Sequence, residues 1–279
     1  MRYFLPGTVA EATAGLTETS YRIIAGGTDF YPGQAERPVR DDVMDISALM
    51  ELRGISKQTG HTRIGALATW TDIVKADLSG KFRGLQLAAR EVGALQIQNA
   101  ATVVGNICNA SPAADGVPPL LTLNASVEIS STNEQRHLAL DQFILGNRRT
   151  ALGPGEMVTA IVIPDDAPLA NSHFLKLGSR QYLVISFVMV ATLLETDEDN
   201  RIRQARVSVG ACSEVACRLA GLEADLIGQP LDQAGVMPIE DHLKTLSPIS
   251  DIRATADYRR VAALEYVRRS LKACAGGMA

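Results

Sequence analysis

Few residues of this 279-residue chain are suited to holding a metal. Its four cysteines, Cys108, Cys212, Cys217 and Cys274, contain no C-x-x-C pair and none of the runs that ligate iron–sulfur clusters. The four histidines, His61, His137, His173 and His242, are isolated in sequence, which favours surface or structural roles over ligation. The chain is therefore expected to carry no metal itself. Its formal net charge of −4 leaves no basic footprint for nucleic acid. No uninterrupted apolar run approaches the roughly 18 residues a membrane helix requires. Pro6 and Gly7 cut off the first apolar residues at once, so no signal peptide is read and a cytoplasmic location is expected. The G-x-G-x-x-G fingerprint of the Rossmann fold is missing, and so is a Walker Gly-Lys-Ser/Thr.

What the chain does have is an ordinary globular composition, 46% apolar and 21% charged, and two short glycine loops. The first is Ile24-Ala25-Gly26-Gly27-Thr28-Asp29-Phe30. The second runs from Thr102 through Val104, Gly105 and Asn106 to Ser111 and Asp115. Both join small, permissive residues to hydroxyl and amide side chains, as a backbone wrapping a phosphate requires. Alone, Gly26-Gly27 reads as a tight turn. Two such loops in one chain point to a ligand with two ends held apart, most simply a dinucleotide. Pro32-Gly33 is expected to break any helix that starts after the first loop.

The pattern predicts an α+β protein in three parts. Residues 1–55 read as a small α/β unit: a helix opening at Thr8, a strand at 21–25, an irregular stretch at 32–41 and a strand at 42–46. Residues 56–168 read as a larger mixed unit. Strands are predicted at 61–67, 125–130 and 157–164, and helices starting at Thr71, over 85–92 and over 140–145. The polar, proline-bearing Asp165-Asp166-Ala167-Pro168 marks a boundary. Residues 169–279 read as a three-stranded antiparallel sheet (174–177, 186–195, 202–211) followed by helices near 215–227, 238–246 and 255–274. In the last helix, Tyr258, Val261, Leu264, Val267 and Leu271 recur at helical spacing, and Arg259, Arg260, Arg268 and Arg269 read as its solvated face.

Five motifs in order carry a family resemblance. They are Ala25-Gly26-Gly27-Thr28-Asp29, Gly65 to Thr69, Gly105 to Asp115, Phe174 to Arg180 with Ile185-Ser186, and Tyr258-Arg259-Arg260. Together they resemble the FAD-binding (medium) subunit of the molybdenum hydroxylases, the family of carbon monoxide, xanthine and nicotinate dehydrogenases. The likeness runs from the first residues to about Ala273. It implies a split two-part FAD-binding domain followed by a small sheet with a helical cluster. It also implies a subunit that takes electrons from a [2Fe-2S] small subunit and passes them through FAD to NAD, oxygen or a quinone. The organic substrate would react at molybdopterin in a large subunit. A self-sufficient FAD-dependent oxidoreductase, or a scaffold that has lost its cofactor, are the alternatives.

The resemblance also implies roles. Backbone N–H groups from Ala25 to Asp29 would converge on the pyrophosphate, flanked by Ile24 and Phe30, with Thr28 adding a hydroxyl donor. Thr102, Val104, Gly105, Asn106 and Ser111 would approach from the other side. Asp115 would accept from sugar hydroxyls, or else cap the helix that Pro118 and Pro119 begin. Val92 and Val158 match positions flanking the adenine, or are simply core. Lys176 would lie near the flavin, or snorkel to solvent. Tyr182 matches the residue that gates the flavin's reactive edge. No nucleophile or general acid is required, because a flavin supplies the redox chemistry.

Overall fold

The structure, a computed structural model, describes residues 1–35, 37–180 and 184–276. The chain begins with strand β1 (Tyr3–Phe4), helix α1 (Val9–Glu18), strand β2 (Arg22–Ile24), a short helix α2 (Phe30–Gln34) and strand β3 (Val43–Asp45). The three strands form a parallel sheet in the order β1-β3-β2. Thr8 caps α1 as its sequence position suggests, accepting from the Glu11 N–H at 3.1 Å. The first glycine loop leaves the end of β2, an edge strand. The helix α2 corrects the sequence reading: Pro32 and Gly33 sit inside it. Pro32 falls in the first turn, where a missing N–H costs no intrahelical bond.

Next come β4 (Ile55–Gln58), β5 (His61–Gly65), α3 (Trp70–Lys75), α4 (Arg83–Glu91), α5 (Leu95–Ala100), α6 (Val103–Asn109) and α7 (Val117–Thr122). They are followed by β6 (Ser126–Ser130), β7 (Gln135–Ala139), α8 (Leu140–Phe143), a hairpin of β8 (Ile144–Gly146) and β9 (Arg149–Thr150), and β10 (Met157–Pro164). Five of these strands form an antiparallel sheet in the order β4-β5-β10-β6-β7. Its outer strands β4 and β7 are largely polar and exposed, so no apolar signal marked them. The α3 cap is Thr69 rather than Thr71. Thr69 and Asp72 form a reciprocal capping box, while the Thr71 hydroxyl donates to Asn99.

The last part holds β11 (Asn171–Leu177), β12 (Val188–Thr196), β13 (Ile202–Gly210) and the two-residue edge strand β14 (Cys217–Arg218), antiparallel in that order. Helix α9 (Ala220–Leu226) and the long α10 (Ala256–Gly276) follow. Near 238–246 there is a single 3₁₀ turn, Glu240–Leu243. The α10 helix packs on β11 and β12, while α4 and α7 press on β11, β12 and β13. Covered on both sides, β12 is buried along nearly its whole length, as its unbroken apolar run requires.

The apolar periodicity of α10 misleads at its start. Tyr258 and Val261 are exposed, and the buried stripe runs through Arg259, Ala263, Val267, Ser270, Leu271 and Cys274. Arg259 therefore does not belong to a solvated face. Its guanidinium donates to the Phe187 and Ala211 carbonyls and to Asp251, which is why a charge is tolerated there. Among the described residues no helix is long and apolar enough to cross a membrane, and no group of metal-ligating side chains could hold an ion.

Candidate functional site

A cavity of about 950 Å³ opens between the first sheet and the helices of the middle part. That is at the upper end of the roughly 300–1,000 Å³ usual for small-molecule sites. Its walls hold Ile24, Ala25, Gly26, Gly27, Thr28, Asp29 and Phe30 from the first motif, and Thr102, Val104, Gly105 and Asn106 from the second. Val92 and Val158 also line it. The structure thus brings the two glycine motifs together on one space.

The first loop turns sharply after β2. Gly27 has φ +67°, the left-handed region that side chains with a Cβ resist. Gly26 is fixed by packing: a Cβ there would lie 1.8 Å from the Ala100 carbonyl oxygen at the end of α5. This adds a packing constraint to the sequence reading, which gave both glycines a tight turn and close approach to phosphate. The backbone N–H groups of Ala25, Gly26, Gly27 and Thr28 donate no hydrogen bond to any described residue. A run of unengaged donors on a cavity wall is suited to an anion's oxygens.

The first half of the second motif, Val103 to Asn109, is a helix rather than a loop. Thr102 caps α6, accepting from the Gly105 N–H at 3.0 Å, and its own hydroxyl proton stays available to a ligand. The Gly65–Thr69 motif leads into α3 directly beside it: Thr69 pairs with Thr102 in an isolated bridge, and the Trp70 N–H donates to the Ala101 carbonyl. Trp70 and Ala66 consequently join the lining. Cys108 lies there too, but burial pushes its thiol up to about 12, which removes thiolate chemistry from the site.

One lining residue carried no sequence signal. Arg148, in the turn of the β8–β9 hairpin at φ +57°, donates to Asp29 at 2.7 Å and to Asn109. It links the first loop to the end of α6. The Arg148 hydrogen bond holds the Asp29 carboxyl below its ordinary value. Isolated in an Asn-Arg-Arg turn, it looks like any surface arginine.

Ser111, Asp115 and Lys176 are not among the lining residues. The Ser111 hydroxyl accepts from the Ala113 N–H within its own turn. Asp115 and Lys176 form a buried ion pair at 2.7 Å, with side chains 9% and 7% exposed, and Ser186 donates to the other carboxylate oxygen at 2.8 Å. Burial pushes the Asp115 carboxyl up, against the pull of Lys176 and Ser186. The two non-ligand alternatives from sequence do not hold: Asp115 gives α7 no side-chain cap, and Lys176 does not snorkel to solvent. The pair joins α7's approach to β11. Tyr182, the expected gate, lies outside the described residues.

The cavity's size, its unengaged loop donors and its apolar walls of Ile24, Phe30, Val104 and Val158 fit a dinucleotide with a central pyrophosphate. Comparison with known proteins identifies it. Residues 1–166 match the family described as "FAD binding domain in molybdopterin dehydrogenase". Residues 173–274 match "CO dehydrogenase flavoprotein C-terminal domain". The nicotinate dehydrogenase FAD-subunit of Eubacterium barkeri is 33% identical over 237 residues, covering 82% of this chain and 80% of that one. The carbon monoxide dehydrogenase medium chain of Hydrogenophaga pseudoflava is 25% identical, covering 97% and 96%. A crystal structure of a Cu,Mo-CO dehydrogenase in its cyanide-inactivated form superposes with a TM-score of 0.90 at 25% identity, covering 100% of this chain and 98% of that one. The chain belongs to the FAD-binding subunits of the molybdopterin dehydrogenases. It is an FAD-dependent oxidoreductase subunit, and FAD is its cofactor.

Proposed function

We propose that this chain is the electron-transfer subunit of a multi-subunit molybdenum hydroxylase. In this reading it takes electrons one at a time from a [2Fe-2S] small subunit and delivers them in pairs to an external acceptor such as NAD, oxygen or a quinone. A molybdopterin large subunit oxidises the organic substrate. Bound FAD supplies both one- and two-electron steps, which no protein side chain offers. The chain's own residues bind and orient. The N–H groups of Ala25 to Thr28 and the Thr28 and Thr102 hydroxyls hold the pyrophosphate, and Arg148 keeps the two motifs at a fixed separation. Val92 and Val158 flank the adenine. The Asp115–Lys176–Ser186 cluster ties the approach to α7 to β11 and to Ser186, and Tyr182 is assigned the role of gate to the flavin's reactive edge. We assign the three expected parts, 1–55, 56–168 and 169–279, to the two halves of the FAD domain and the sheet-and-helix unit, and the site of action to the cytoplasm.

The observation that carries this reading is the convergence of both glycine motifs on one cavity. The experiment is purification of the native protein from its source with its bound partners. The expected result is a stoichiometric complex containing FAD, iron and molybdenum, whose flavin absorbance bleaches when the organic substrate is added. Turnover of an organic substrate by this chain alone would defeat the reading.

A further inference from the structure

Two buried polar atoms on the cavity wall have no partner among the described residues: the indole N–H of Trp70 and the side-chain carbonyl of Asn106. Trp70 is fully buried, and it is the single tryptophan of the chain. Indole Nε1 is a donor only and Oδ1 an acceptor only. The indole ring edge and Asn106 Oδ1 both border Gly116. A Cβ placed on Gly116 would lie 2.5 Å from Trp70 Cη2, 3.1 Å from Cζ2 and 2.9 Å from Asn106 Oδ1. Cζ2 belongs to the ring edge adjoining Nε1. The backbones are already tied, through the Thr69–Thr102 bridge and the Trp70 N–H to the Ala101 carbonyl at 3.2 Å.

A buried donor and a buried acceptor left apart each bear their full desolvation cost, and one bond between them removes both. It also fixes a direction. An Asn amide turned the other way would set its NH₂ against the indole N–H, donor against donor.

We propose that Trp70 is a positioning residue for the cofactor: in the loaded protein its indole N–H donates to Asn106 Oδ1, which holds the Asn106 NH₂ towards the cavity as a donor to FAD. The inference rests on the FAD reading of the cavity. The argument for a role beyond packing is that a phenylalanine fills nearly the same space but has no N–H to orient the amide.

The test joins a double-mutant cycle to a spectrum. FAD affinity is measured by titration for the wild-type chain, Trp70→Phe, Asn106→Ala and the double variant. Trp70→Phe is expected to weaken binding about fivefold to tenfold, the loss of one oriented hydrogen bond. Asn106→Ala is expected to weaken it at least as much, and the double variant no further than Asn106→Ala alone. Because there is one tryptophan, a ¹⁵N spectrum gives one indole resonance. It is expected to move downfield and gain protection from exchange when FAD is added to the wild type, and to gain no protection in Asn106→Ala with FAD bound. Independent losses in the cycle, or an indole resonance that stays unprotected in the FAD-loaded wild type, overturn the proposal and leave the FAD site standing. A folded wild-type chain that binds no FAD overturns both.

Discussion

Arg148 and Asp29, 119 positions apart in sequence, meet at 2.7 Å on the cavity lining. Both side chains remain about half exposed. A pair so exposed contributes little to stability, about 0–1 kcal/mol. Its consequence is geometric: it sets the spacing between the first glycine loop and α6. Arg148→Ala should leave the melting temperature of the FAD-free chain within about 3 °C of wild type. FAD affinity should fall about threefold to tenfold, and most of the difference should vanish in high salt. Titrations at two ionic strengths check both parts.

The two glycines of the first loop should respond differently. Gly26→Ala drives a methyl into the Ala100 carbonyl, a backbone atom that cannot swing aside. It should separate the loop from α5 and abolish detectable FAD binding. Gly27→Ala meets only the ring of Tyr31, which is exposed and free to move, and adds a left-handed backbone cost of about 1–2 kcal/mol. It should bind FAD with about tenfold weaker affinity. Equal behaviour of the two variants would show that packing against α5 does not set the loop.

The Asp115–Lys176 pair makes a stability prediction. Lys176→Met leaves a buried carboxylate without its partner, and breaking such a pair costs about 3–5 kcal/mol. With its cation gone, the Asp115 carboxyl, already pushed up by burial, rises further. The folded state then binds more protons than the unfolded state between the ordinary carboxylate value and the raised one. Stability of the variant should therefore fall as pH rises through that window, more steeply than in the wild type, where Lys176 and Ser186 oppose the effect of burial. Urea unfolding at pH 5 and pH 8 measures it.

Four other carboxylates act in the opposite direction. Hydrogen bonds from Arg148, Arg136 and Lys81 hold Asp29, Glu156 and Asp165 below their ordinary values, and backbone N–H groups led by that of Arg253 do the same for Asp251. Each contribution is fully present above the unfolded value near pH 4 and is lost as pH falls through the lower folded value. Melting temperature should be nearly flat from pH 7 to about 5 and drop steeply below about 4.

Much of this was legible in the chain. Gly26-Gly27 named one cavity wall because a close turn leaves few residue choices. Gly105-Asn106 named another although it lies on a helix. The strands read over 157–164 and 202–211 announced themselves by their apolar residues. What stayed hidden has physical causes. The cap of α6 looked like loop because Gly105 depresses helix propensity, while the Thr102 cap and tertiary packing outweigh it. Pro32 reads as a breaker only if its place in the first turn is unknown. Arg259 is buried because three partners surround its guanidinium, and they come from the residue before β12, the residue after β13 and the loop before α10, which no local window shows. Arg148 and Trp70 owe their positions to folding alone.

The most direct test of the central claim is calorimetric titration of the folded chain with FAD, FMN and AMP. A cavity spanning both glycine motifs must gain from both halves of the ligand. The account predicts one FAD per chain, bound at least about 100-fold more tightly than FMN or AMP, a difference of roughly 2.7 kcal/mol. FMN binding as tightly as FAD, or a folded chain that binds none of the three, would contradict it.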